Sequence, residues 1–243
     1  MTLSSVYLDY NATTPVDPEV AEAMLPYLTQ RFGNPSSGHP YGAEARAAVE
    51  AARRQVASLL GARPEEVVFT SGGTEGSNTV IQGVARLLRG KGRHVVTSAI
   101  EHPAVLEPCA LLEEDGWSVT RVGVDGEGRV DPAEVAAAIS EQTVLVTVMH
   151  ANNEVGTLQE IAEIARLAHE RGVLVHTDAA QSVGKVPVDV AALGVDFLTL
   201  AGHKVYAPKG VGALWIRSGL ALPPLLRGAS HEAGRRAGTE NVL

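Results

Sequence analysis

Seven short apolar runs, rich in β-branched residues, punctuate this 243-residue chain and constrain its fold more than any other feature. They occupy 67–70, 94–97, 119–122, 144–148, 173–176, 195–200 and 212–216. None alternates strictly between apolar and polar residues, so each reads as a strand covered on both faces. Helical spacing fills 42–60, 77–88 and 161–170, and a further helix starts at Asp17-Pro18-Glu19, where a capping carboxylate precedes a first-turn proline, and runs to about Leu28. Strands alternating with helices predict an α/β fold, a mostly parallel sheet of about seven strands flanked by helices. Residues 1–14 predict an extended N-terminal arm, because Pro15 disfavours a helix before it. Residues 15–243 then form one large domain.

Charge and cysteine content narrow the function classes. Lys and Arg number 20 against 28 Asp and Glu, a formal charge of −8. That balance argues against nucleic acid or an anionic membrane as partner, since both select basic surfaces. The one cysteine, Cys109, allows no intrachain disulfide and no cysteine metal cluster, and no metal site is expected. No apolar run approaches the ~18 residues of a membrane helix. The first residues, Met1 to Val6, lack the basic flank and apolar core of a secretion signal. A cytoplasmic protein is expected.

Sheets of this kind bind ligands beyond the carboxyl ends of their strands, and here those ends are polar or glycine-rich. After Thr70 comes Ser71-Gly72-Gly73-Thr74-Glu75-Gly76-Ser77-Asn78, where glycines and a helix N-terminus would cradle a phosphate. It is not a Walker loop, because no Gly-Lys-Ser/Thr follows. Glu101-His102 follows the second run, and a histidine there can stack on an aromatic ligand or move protons. Asn153 follows the fourth, offering both donor and acceptor. Asp178 and Gln181 follow the fifth, and a buried aspartate needs a cationic or hydrogen-bonding partner.

Lys204 follows the sixth run, in Ala201-Gly202-His203-Lys204-Val205-Tyr206-Ala207-Pro208-Lys209-Gly210. A lysine between two core strands is costly to desolvate, and the small residues around it leave room for a bound group. An anion cradle, a stacking histidine, a carboxylate, amides and a nucleophilic amine together suit pyridoxal 5'-phosphate. The lysine would form an imine with its aldehyde, the aspartate would hold its ring nitrogen protonated, and the turn at 71–77 would anchor its phosphate.

Several motifs, in order along nearly the whole chain, carry a resemblance: YLDYNATTP, GNPSSGH, FTSGGTEGSN, EHPAVLEP, HANNEVGTLQ, HTDAAQSVGKVPVDV, GHKVYAPKGVGALW and GRRAGTEN. The chain resembles the cysteine desulfurase branch of the class V aminotransferase-like, fold-type I pyridoxal-phosphate enzymes. The resemblance implies that Lys204 is the Schiff-base lysine, that His102 stacks on the ring and shuttles protons, and that Asp178 pairs with the ring nitrogen. It further implies that Gln181 touches the ring hydroxyl, that Gly73, Thr74 and His203 hold the phosphate, and that Asn153 lies by the ring and the substrate. Thr239 would reach the phosphate of a neighbouring subunit, which implies a homodimer. The implied reaction takes sulfur from L-cysteine, leaves L-alanine and passes the sulfur to an acceptor or scaffold protein for iron–sulfur cluster or thio-cofactor synthesis.

The pattern departs from the family in two places. Ala201 stands where family members carry a serine that contacts the phosphate, and Thr199 is the candidate to replace that hydroxyl. The family's C-terminal small domain, with its sulfur-accepting cysteine and carboxylate-gripping arginine, has no counterpart in residues 1–243, and 239–243 read as the first residues of a helix. Cys109 lies in a helical stretch and reads as a buried, inert thiol. Two alternatives stand beside the desulfurase: a selenocysteine lyase or other class V lyase or transaminase, and a non-catalytic, cofactor-binding dimeric remnant.

Overall fold

The structure, a computed structural model, describes residues 5–243. The seven runs form seven strands: β1 (Val67–Thr70), β2 (His94–Ser98), β3 (Ser118–Val122), β4 (Thr143–Thr147), β5 (Leu174–Asp178), β6 (Phe197–Ala201) and β7 (Gly212–Ile216). Among the described residues seven α-helices accompany them: α1 (Pro18–Thr29), α2 (Pro40–Leu59), α3 (Gly73–Leu88), α4 (Pro103–Glu114), α5 (Pro132–Ala138), α6 (Ile161–His169) and α7 (Val190–Leu193). Asp17 caps α1 as expected, its carboxylate accepting from the Glu19 amide at 2.8 Å.

The strands make one sheet in the order β1-β7-β6-β5-β4-β2-β3. Pairing is parallel from β6 through β3, while β7 runs antiparallel to both its neighbours. The link from Ala201 to Gly212 is too short for a crossover helix, so the chain must return antiparallel. Because β7 alone is reversed, β1 points the same way as β6. Six strands, β1 to β6, therefore point their carboxyl ends to one side, and the ends of β1, β2, β4, β5 and β6 lead into the turns that bear the candidate residues.

Helices cover both faces. Ile81 and Val84 of α3 pack with Val105 and Cys109 of α4 on one side. Ala57 of α2, Val135 of α5 and Ile161 and Ile164 of α6 pack on the other. The central strands β2, β4, β6 and β7 are buried throughout. The edge strand β3 is not, since Ser118 and Arg121 are exposed, which corrects the expectation that every strand is covered on both faces. An outermost strand has a neighbour on one side only, so its free edge meets solvent even though α4 and α5 both touch it.

Two other expectations change. The arm is not extended throughout its described part: residues 10–12 form a turn closed by the Ala12 amide on the Asp9 carbonyl and carboxylate, each at 3.2 Å. Residues 1–4 of the arm lie outside the described residues. Residues 239–243 are irregular, not helical, because five residues fix a costly helical nucleus for almost no hydrogen bonds.

Candidate active site

Strand direction decides which side chains meet. Beyond the five aligned strand ends lies a cavity of about 260 Å³ lined by Gly73, Thr74, His102, Asn153, Asp178, Gln181, His203 and Lys204. Every residue expected from the sequence is there except Thr239, which is exposed and lies away from the cavity. Ala12, Met149 and Ala201 complete the wall among others.

Lys204 ends a 3-10 turn, Gly202–Lys204, that follows β6 directly. Burial pushes its amine below the usual lysine range, opposed by the nearby carboxylates of Asp178 and Asp9. The amine donates to the Asn11 carbonyl. Asp178 closes β5 and is buried. One of its oxygens accepts from the Ala180 amide at 2.9 Å, and among the described residues the other takes no hydrogen bond. Burial raises its carboxyl above the usual range, against the pull of that amide, His102 and Lys204. A cation placed on the second oxygen would offset that burial.

His102 caps α4 with its ring, Nδ1 accepting from the Ala104 amide at 3.1 Å. An accepting Nδ1 leaves Nε2 as the nitrogen that carries the proton of the neutral ring. The N-terminus of α3 supplies the anion cradle: the first-turn amides of a helix have no partner within it, and Gly73 and Thr74 face the cavity. Close approach of this turn to the sheet requires Gly212, where a Cβ would fall 2.7 Å from Gly72 Cα. Glu75, beside the cradle, is neutralised by Arg236 at 2.8 Å. Burial works against the Glu75 charge, and Arg236 and the Ser71 amide prevail, holding its carboxyl below the usual range.

Thr199 does not replace the missing serine. Its hydroxyl sits 3.0 Å from His176 Nε2, fully buried one layer beneath the cavity, where a Cβ on Gly76 would meet Thr199 Cγ2 at 2.7 Å. It shares a strand face with Ala201, so alternation alone could not separate them; depth did.

Two residues escaped the sequence reading. Asn11 bends over the cavity: its carbonyl accepts from Lys204 and, at 2.9 Å, from Gln181 Nε2. Glu101 is buried beside His102, with Oε1 accepting from Ser98 Oγ at 2.5 Å and from the Met149 amide at 2.9 Å. Among the described residues its Oε2 has no partner, and burial pushes its carboxyl up to about 8. Its only sequence signal was a carboxylate abutting a strand end.

These features can be set beside known proteins. The aminotransferase class-V family model matches residues 6–243. This chain belongs to the class-V aminotransferase family. Within it, cysteine desulfurase IscS of Dictyoglomus turgidum is 53% identical over 237 residues, covering 98% of this chain and 60% of that protein. IscS of Methanosarcina thermophila is 52% identical over 238 residues, with coverage of 98% and 59%. Among solved structures, a NifS-like protein superposes with a TM-score of 0.96 at 42% identity, covering 98% of this chain and 66% of that one. SspA in complex with cysteine gives 0.95 at 42% identity, covering 98% and 69%. The chain spans about 60% of the length of the curated relatives it matches.

Class-V enzymes depend on pyridoxal 5'-phosphate, and the residues present fit that group. The cavity joins an amine able to condense with an aldehyde, a buried carboxylate with one oxygen free for a ring N–H, and helix amides for a phosphate.

Proposed function

We propose that this chain is the cofactor-binding part of a cysteine desulfurase, which takes sulfur from L-cysteine, leaves L-alanine and hands the sulfur to an acceptor for iron–sulfur cluster or thio-cofactor synthesis. The observation that carries this reading is the convergence of Lys204, Asp178, His102 and the α3 N-terminus on one cavity.

Pyridoxal phosphate supplies an electron sink that lets a proton leave the substrate Cα. The chain's own residues do the rest. Gly73 and Thr74 bind the phosphate through main-chain amides and a hydroxyl, with His203 beside them. Asp178 holds the ring nitrogen protonated, a charge-assisted hydrogen bond worth about 1.5–3 kcal/mol. Gln181 donates to the ring oxygen. Lys204 would hold the aldehyde carbon and would carry the proton at the substrate Cα; its lowered pKa increases the neutral fraction that can do so. His102 would lie against the ring and could move a second proton through Nε2. Asn153 lies where the substrate amino acid enters.

The sulfur-accepting thiol comes, in this reading, from outside residues 1–243. Cys109 is the one cysteine, and it is buried, with its thiol pushed up to about 12. The cysteine bound to SspA supports cysteine as the substrate. Thr239 is exposed, on a segment tied down by Arg235 and Arg236, and in this proposal it would reach the phosphate site of a second copy; a homodimer and a cytoplasmic location are part of the same proposal.

The deciding test is spectroscopic. Purified protein mixed with pyridoxal phosphate should develop the visible absorbance of the lysine-bound cofactor, and Lys204→Ala should abolish it. An unchanged spectrum in the variant would remove Lys204 from this role.

A further inference from the structure

Beside the cavity, outside its wall, a second lysine holds two of the groups that line it or bend over it. Lys185 Nζ donates to Gln181 Oε1 at 2.6 Å and to Asn11 Oδ1 at 3.4 Å. Gln181 is 9% exposed, so its amide has few other partners. On the far side of that amide, Gln181 Nε2 donates at 2.9 Å to the Asn11 carbonyl, which also takes the Lys204 amine. Lys204, Asn11, Gln181 and Lys185 thus form one continuous hydrogen-bonded chain.

A primary amide has a donor end and an acceptor end of nearly equal size, and either could face the cavity. An ammonium has three donors and no acceptor. With Lys185 behind it, the amide can satisfy Oε1 only by turning it outward, and Nε2 must then point to the Asn11 carbonyl at the cavity. The reverse orientation would set N–H against N–H⁺ on one side and an oxygen lone pair against any anionic ligand atom on the other.

We propose that Lys185 is a positioning residue that fixes Gln181 as a hydrogen-bond donor to the cavity and lends its positive charge to that donor. The proposal rests on the reading of the cavity as a pyridoxal-phosphate site, in which Gln181 meets the ring oxygen. A donor backed by a cation stabilises negative charge on that oxygen, which makes the neighbouring imine nitrogen easier to deprotonate. The other charged or titratable groups facing this corner are Lys204, Asp178, Asp9, His102 and His203. Replacing Lys185 by a neutral residue removes both the orienting partner and the charge.

The experiment titrates the visible absorbance of cofactor-loaded protein against pH for the wild type, Lys185→Met, Lys185→Arg and Gln181→Leu. Borohydride reduction followed by peptide mapping verifies that the cofactor is on Lys204 in each, and thermal melting verifies folding. Lys185→Met and Gln181→Leu are expected to raise the absorbance midpoint by about half a pH unit or more. Lys185→Arg, which keeps the cation, should stay close to the wild type. A Lys185→Met midpoint equal to that of the wild type, with Gln181→Leu shifted, would overturn the role of Lys185 and leave the cofactor site standing. Failure of the wild type itself to take up cofactor on Lys204 would overturn both.

Discussion

Lys204 loses hydration where its stem enters the cavity wall, and its amine is pushed below the usual lysine range even with Asp178 and Asp9 nearby. Asp178 is pushed the other way by the same loss of water. The lowered amine suits imine chemistry, while the raised carboxyl is the cost of burying an anion for the ring nitrogen, a cost that the positive charge of a bound cofactor's ring would offset. Glu101 has no such relief. Its carboxyl, pushed up to about 8 by burial, keeps a proton in the folded protein that the unfolded chain releases above about pH 4.3. The folded state therefore binds more protons than the unfolded state between about pH 4.3 and about pH 8, and stability attributable to Glu101 falls as pH rises through that window. Glu101→Gln removes the titration. Relative to the wild type, the variant should gain stability from about pH 5 to about pH 8, by at most ~1.4 kcal/mol per pH unit. Denaturant midpoints at several pH values check this, and a pH-independent difference between the two proteins would show that Glu101 is ionised in the fold.

At the scale of elements, the phosphate cradle is a packing problem before it is an electrostatic one. The N-terminus of α3 approaches the junction of β6 and β7 so closely that position 212 has no room for a side chain: a Cβ would lie 2.7 Å from Gly72 Cα and 2.7 Å from the Leu200 carbonyl. Both obstacles are backbone atoms, so neither can rotate away. Gly212→Ala should cost about 1–3 kcal/mol by overpacking and weaken uptake of pyridoxal phosphate, because the shift falls on Gly72, the residue that caps the N-terminus of α3. Equilibrium unfolding and an absorbance titration measure the two effects. Normal stability with normal uptake would mean that the cradle tolerates movement this geometry forbids. Gly76, whose Cβ would meet Thr199 Cγ2 at 2.7 Å, holds the next turn of α3 against β6 for the same reason.

At the scale of the molecule, the described residues bring Lys204, Asp178, His102 and the α3 N-terminus to one pocket, and the one cysteine, Cys109, is buried away from it. Protein of this length, loaded with cofactor, should release little or no sulfide from L-cysteine under reductant, and Cys109→Ala should leave that rate unchanged. Robust turnover that disappears in Cys109→Ala would show that the buried thiol opens to the cavity. The strands, most helix bodies and the chemistry of the strand ends were legible in the sequence, because β-branched runs, helical spacing and polar turns are local signals. Three things were not. Nothing local marks Glu101 as buried, since Met149, whose amide it binds, is brought to it by the pairing of β2 with β4. Thr199 and Ala201 look equivalent on one strand face, and only the packing of α3 shows that the first lies beneath the cavity. Asn11 reads as arm, yet it closes over Lys204 across a contact between the two ends of the chain. The sequence by itself determined which side chains with cofactor chemistry stand at which strand ends, because residue type and period are properties of neighbours along the chain. Only the tertiary structure decided that five of those ends face the same way, because the reversal of β7 and the order of strands in the sheet arise from pairing between segments far apart.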